Sequence, residues 1–253
     1  MARPLTLLLV RHGQTEWNAR GLMQGQTAHI PLTELGHAQA AAAAAELTAL
    51  CPGALISSDL LRARQTADHC ARATGLPVTV TPALREQGYG VLEGRPSREL
   101  WDVVDWTDPH WAAEGGESLA QLHGRVAAYL QQLRAEPPAD VVALVTHGDT
   151  IRAAQAVAAG LGPEAMPAVT PHNGTVTRLE LAPRGGPGRP SQQRCSPPCP
   201  SPRGPRPRPA GCCRGRRSSA SCSGASLPAS PSSAPGGSRR RSAPSWRWPC
   251  WRC

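Results

Sequence analysis

Two short apolar runs that each end in His-Gly constrain this chain more than any other feature. Leu5-Thr6-Leu7-Leu8-Leu9-Val10 leads into Arg11-His12-Gly13, and Val141-Val142-Ala143-Leu144-Val145 leads into Thr146-His147-Gly148. Runs this short, rich in branched side chains and closed by glycine, predict strands buried on both faces. Residues that follow the carboxyl ends of such strands stand where open α/β sheets bind ligands. Two imidazoles and a guanidinium at that edge suit capture of a phosphoryl group. One imidazole is placed to attack phosphorus and the other to hold oxygens.

Between the two runs the pattern alternates. Thr33 is a natural N-cap for an Ala-rich helix over Glu34–Leu50. Ala54–Ser57 reads as a strand, and Leu60–Thr74 as a helix stopped by Gly75 and Pro77. Val78–Val80 is a short strand leading into Leu84-Arg85-Glu86. Residues 87–116 are glycine-rich and irregular, with Trp101, Trp106 and Trp111 as candidate covers for a cleft. Apolar residues then recur at helical spacing from Leu119 to Leu133, within a segment that runs from Glu117 to Ala135. Asp140–Thr146 is the next strand, Thr150–Leu161 a helix and Thr175–Leu181 a final strand. Alternation of this kind predicts an α/β three-layer sandwich: a mostly parallel sheet with helices on both faces.

Charge divides the chain into two unlike parts. All 27 basic residues are Arg; residues 1–182 hold 13 of them with all 18 acidic residues, a net of −5, and the remainder carries +14. The overall +9 therefore belongs to neither part, and no nucleic acid is expected as a partner of the first part. Residues 183–253 are Pro, Arg, Ser, Gly and Cys with almost no branched aliphatic residue, a composition expected to remain disordered. The whole chain avoids Lys and Phe, a sign of GC-rich coding, and we read the tail as such DNA translated in a shifted frame. The rival reading is a basic arm anchored by Trp246, Trp248 and Trp251 on nucleic acid or acidic lipid. Two isolated cysteines, Cys51 and Cys70, suit a reducing cytosol, and the first apolar run is too short for a signal peptide or a membrane span. The expectation is a cytoplasmic domain, 1–182; its oligomeric state is not legible here.

The motifs lengthen on inspection. Arg11-His12-Gly13-Gln14-Thr15-Glu16-Trp17-Asn18 is followed by Met23-Gln24-Gly25, Pro31-Leu32-Thr33-Glu34-Leu35-Gly36 and Ser57-Ser58-Asp59-Leu60-Leu61-Arg62-Ala63-Arg64-Gln65-Thr66-Ala67. Leu84-Arg85-Glu86 and Thr146-His147-Gly148 complete the series. Over about residues 5–181, in order and spacing, this resembles the histidine phosphatase superfamily, the phosphoglycerate mutase-like proteins.

The residue types make chemical sense without the name. Displacement at phosphorus needs an in-line nucleophile and cations on the equatorial oxygens. A neutral imidazole is a competent nucleophile, so His12 is the candidate to become phosphohistidine, its other ring N–H steadied by the carbonyl of Gly13 or a neighbour. Arg11 and Arg62 offer planar forks to phosphate oxygens, Arg62 just inside a helix start, and His147, protonated beside the bound anion, would complete the clamp. Glu86, with its pKa raised in a covered cleft, can protonate the leaving oxygen and then activate water. The resemblance implies the same acid/base role for Glu86. It also implies phosphate- or substrate-lining positions at Asn18, Gln24, Gly25, Thr15, Gly148 and Tyr89.

Other residues read more plainly. His29, His37, His69, His110, His123 and His172 look like surface or helix residues. Glu93 lies within the glycine-rich loop, unlike Glu86, and Asn173 suits a turn cap. The tryptophans are more natural as loop packing than as a substrate platform. No metal site and no cofactor are expected: the histidines lack i, i+4 spacing with a carboxylate, and the tail cysteines lack a paired pattern.

Hydrolysis is the favoured chemistry, on a small phosphorylated metabolite: a sugar phosphate, a phosphoglycerate derivative or α-ribazole phosphate. Glu86-Gln87-Gly88-Tyr89-Gly90 is similar to the mutase segment, which keeps a bisphosphoglycerate-dependent phosphoglycerate mutase as the alternative. Against it, the chain has no Lys for a substrate carboxylate near Ser97, with only Arg95 or Arg98 as stand-ins, and Asp149 replaces the Asn usual after His-Gly. An idle phospho-ligand binding module is the alternative of another class.

Overall fold

A computed structural model of the chain describes residues 4–100, 103–105 and 108–182. The expectations for the tail, and for Trp101 and Trp106, fall outside the described residues.

Five strands form one sheet: β1 (Leu5–Arg11), β2 (Ala54–Ser58), β3 (Val78–Thr81), β4 (Val141–Thr146) and β5 (Val176–Leu181). The order across the sheet is β3-β2-β4-β1-β5. Strands β3, β2, β4 and β1 are mutually parallel, and β5 runs antiparallel beside β1. The helices are α1 (Glu16–Arg20), α2 (Glu34–Leu50), α3 (Leu61–Thr74), α4 (Leu119–Ala135) and α5 (Gly148–Ala158).

Alternation along β1 and β4 divides the core between two faces. Leu5, Leu7 and Leu9 pack with Val142, Leu144, the α4 residues Leu122, Val126 and Leu130, and Ile151 of α5. Leu8 and Val10 face the other way, onto Ala143, Val145, Ala43, Ala44 and Leu47 of α2, and Ala63 and Ala67 of α3. Burial of every residue of β1 is therefore a consequence of its helices lying above and below. Alanine at the facing positions of α2 and α3 favours helix and lets the two backbones approach closely.

This topology gathers one edge. The parallel strands all deliver their carboxyl ends there, so His12, Ser58, the turn before Glu86, and His147 converge. Antiparallel β5 brings its amino end to the same place, and with it Asn173. Register makes the convergence tight: Val10 pairs with Val145 and Arg11 with Thr146, and the His12 amide donates to the Thr146 carbonyl at 3.0 Å. Among the described residues no helix is long and apolar enough to cross a membrane.

Candidate functional site

His12 and His147 lie side by side at that edge, their ring centroids 5.1 Å apart. Both are fully or almost fully buried, as are Arg11 and Arg62. His12 Nδ1 is 2.7 Å from the carbonyl oxygen of Gly13. A carbonyl only accepts, so Nδ1 carries the hydrogen and Nε2 keeps its lone pair. His147 uses Nε2 on the Ser58 hydroxyl at 2.9 Å, and its buried Nδ1 has no hydrogen-bond partner.

Small residues and hydroxyls hold the first histidine. A Cβ on Gly13 would collide with the Gly36 carbonyl, so this glycine is what lets the loop lie against α2. The Gly13 amide donates to Thr66 Oγ1 at 3.1 Å, tying the loop to α3. Asn173 Nδ2 donates to the His12 carbonyl at 3.0 Å.

The guanidinium groups are held by backbone oxygens. Arg62 donates to the Gly25 carbonyl at 2.7 Å and the Thr27 carbonyl at 3.0 Å, while its buried Nε has no partner. Arg11 donates to the Pro171 carbonyl, and its guanidinium packs against Gly148. Burial pulls Arg62 down to about 10 and lowers Arg11 as well. Both remain cations at neutral pH. Burial holds both imidazoles well below the usual histidine range, and the charges of Arg62 and Arg11 push in the same direction. Burial and two neighbouring guanidinium charges thus favour a neutral His147; the imidazolium expected of this residue is one that forms beside a bound anion.

Glu86 forms the remaining wall. Its carboxylate accepts from the amides of Asp149 at 3.1 Å, Thr150 at 3.3 Å and Gln87 at 3.1 Å. Its carbonyl is fixed by Gln26 and Arg125. Burial raises its pKa to about 7, the Asp149 charge adds to the rise, and Arg11 and Arg62 oppose it. A carboxyl group that can hold or release a proton near neutrality stands beside a bare imidazole nitrogen and two cations. That set has the groups that in-line phosphoryl transfer calls for: a nucleophile, cations and an acid.

The remaining candidates divide. Gly25 lines the Arg62 clamp through its carbonyl and adopts φ +50°, with Glu93 where a Cβ would stand. Gln24 is buried and accepts from Thr15 Oγ1 at 3.0 Å. Thr15 and Asn18 build the capping box of α1, and Asn18 also meets Asn173. That short helix has no apolar periodicity, and its local signals are the Thr-x-x-Asn spacing and Gly21, which closes it at φ +67°. Gly148 opens α5, where Arg11 and Thr170 leave no room for a side chain. Tyr89, expected at the substrate, is buried and donates to Asp149 at 2.7 Å.

Glu93 accepts from the Gln26 and Tyr89 amides and from Thr27 Oγ1, so it braces the 24–27 loop. Trp111 packs beside the Tyr89, Leu92 and Leu100 cluster, as loop packing predicts. Sequence reasoning missed Ser58, Thr66 and Asn173. Their residue types suit turns and helix ends, and only the strand register reveals what they touch. It also missed that His37 and His69 meet, 3.1 Å apart, across α2 and α3. A cavity of about 420 Å³ lies behind the Glu86 backbone between Gln26, Arg85, Glu93, Glu117 and Arg125, and neither imidazole lines it.

The model of the histidine phosphatase superfamily, branch 1, matches residues 7–187. The chain belongs to this family. Relatives include a probable phosphoglycerate mutase GpmB of Yersinia enterocolitica, 36% identical over 184 residues that make up 70% of this chain and 85% of that protein. Among solved structures, a mycobacterial glucosyl-3-phosphoglycerate phosphatase is 34% identical with a TM-score of 0.63, covering 70% of this chain and 91% of that one. A putative alpha-ribazole-5'-P phosphatase from Escherichia coli is 27% identical with the same TM-score and the same coverage. Family membership makes this chain an enzyme of the phosphatase or mutase kind.

Proposed function

We propose that the protein is a phosphomonoester hydrolase working through a phosphohistidine. Nε2 of His12 attacks phosphorus as the ester P–O bond breaks, and the proton on Glu86 goes to the leaving oxygen. Arg11, Arg62 and His147 hold the three equatorial oxygens, the last gaining a proton once the anion offsets the two guanidinium charges. Water then gives its proton to the Glu86 carboxylate and attacks phosphorus, the N–P bond breaks, and inorganic phosphate leaves. One observation carries this reading: the Gly13 carbonyl fixes the His12 hydrogen on Nδ1 and leaves Nε2 bare among cations and a near-neutral carboxyl group.

The substrate class is a small phosphorylated metabolite, supported by the substrates named for the two phosphatase neighbours. The absence of Lys and the presence of Asp149 favour hydrolysis over mutation. The phosphoglycerate mutase reading is supported by the name of the 36% identical relative and by the Glu86-Gln87-Gly88-Tyr89-Gly90 segment. We assign the activity to residues 1–182 and to chemistry without a metal, a reading supported by the guanidinium and imidazole groups that supply the positive charge. A cytoplasmic setting is supported by the sparse cysteine content of residues 1–182, which hold Cys51 and Cys70 alone.

Incubation of the full chain with p-nitrophenyl phosphate in the presence of chelator tests the reading. Release of p-nitrophenol is expected, and a panel of phosphorylated metabolites then ranks substrates. Inert protein would point to a phospho-ligand binding module, and transfer between 2- and 3-phosphoglycerate faster than release of phosphate would point to a mutase.

A further inference from the structure

Asp149, the residue after His147-Gly148, lies against Glu86 in the structure. Asp149 gives its backbone amide to both carboxylate oxygens of Glu86, at 3.1 and 3.3 Å. Its own carboxylate is fixed from two sides, by the Tyr89 hydroxyl at 2.7 Å and by Arg152 at 2.6 Å. Both carboxylates of this pair are largely withdrawn from solvent, where their repulsion is poorly screened.

We propose that Asp149 is a positioning residue for the acid step, its clamped negative charge keeping a proton on Glu86 while His12 is bare. This rests on the phosphohistidine reading. The other charged and titratable groups facing Glu86 work differently. Arg11 from β1 and Arg62 from α3 favour its ionised form. Burial and the two guanidinium charges favour the neutral forms of His12 and His147. Arg125 of α4 grips the Glu86 carbonyl and is itself paired with Glu117. Tyr89 is neutral, its ionisation pushed far up by burial. Glu93 is engaged with the 24–27 loop. Asp149 is thus the residue whose charge works against Arg11 and Arg62 at the carboxyl group. The bias matters because an alkoxide leaving group must receive a proton in the step that breaks the P–O bond, whereas p-nitrophenolate leaves without one.

The test compares pH profiles of kcat/KM for the full-length wild-type chain and Asp149→Asn, with glycerol phosphate and with p-nitrophenyl phosphate. For glycerol phosphate the alkaline limb, near pH 7 in the wild type, is expected to move down by about one pH unit in the variant, roughly a tenfold loss on that limb. The shape of the aryl ester profile is expected to stay the same, and Asp149→Glu to restore the alkyl ester limb. A uniform loss with both substrates at every pH would overturn the proposal, because it would mark Asp149 as merely structural. An unmoved limb with glycerol phosphate would overturn it equally. A wild-type chain that hydrolyses neither ester would instead sink the hydrolase reading itself.

Discussion

The two His-Gly edges are near copies in sequence and in register, yet they hold their imidazoles in opposite ways. At the end of β1 the ring of His12 is anchored by its own neighbour's carbonyl, an acceptor that permits one tautomer. At the end of β4 the ring of His147 is anchored by the Ser58 hydroxyl, which can donate or accept. The first arrangement prepares a fixed lone pair; the second tolerates a change of protonation. Buttressing differs too. Thr66 and Asn173 hold the backbone around His12 from α3 and the β5 edge, whereas His147 is itself the N-cap position of α5 and has no capping side chain. Chemistry at this edge is therefore asymmetric although the strands beneath it are not.

Removing each ring in turn should break the symmetry most visibly. His12→Ala is expected to lower kcat by about 10⁴-fold or more, the scale of losing a covalent nucleophile. His147→Ala removes one group that stabilises developing charge, for about 10²- to 10³-fold. Steady-state rates with p-nitrophenyl phosphate decide the order, and equal losses would count against distinct roles.

Stability sharpens the contrast next. Glu86 has a folded pKa of about 7 against an ordinary 4.5, so its contribution to stability is full below about pH 4.5 and is lost as pH rises through 7. Glu86→Gln should therefore gain up to about 3 kcal/mol over the wild type between pH 4.5 and pH 8, read by urea denaturation at the two pH values. The imidazoles act in the opposite sense: depressed on both edges, they support the fold above pH 6.5 and withdraw that support as pH falls through their lowered pKa values. A variant whose advantage over the wild type fails to grow with pH would contradict the burial of that carboxyl group.

Ser58→Ala carries the smallest effect. It leaves His147 Nε2 without its partner and should cost about 1 kcal/mol, within tenfold in kcat. The His12 edge should be unaffected, so the yield of trapped phosphoenzyme should match the wild type. A drop in that yield as large as the drop in kcat would blur the division of labour.

Much of this was legible in the residues themselves. Short apolar runs, the Thr33 cap and the Gly75 stop mark most strands and helices, since buried strands and capped helices leave local signals. Arg11, His12, Arg62, Glu86 and His147 stand in extended motifs, and the fold brings them to one edge. What stayed hidden depends on partners distant in sequence. Tyr89 and Asp149 are 60 positions apart, and Asn173 and His12 are 161 apart. Nothing local separates a turn asparagine from one that holds a histidine's backbone. Helix α5 begins earlier than its periodicity suggests because Gly148 and Asp149 add helix but no apolar repeat.

Rapid acid-free quenching of the full chain with radiolabelled substrate, followed by peptide mapping, tests the central claim most directly. The account predicts acid-labile, base-stable phosphate on the peptide carrying His12, absent in His12→Ala and still formed in His147→Ala. Label on His147 instead, or turnover with no labelled protein at any time, would contradict it.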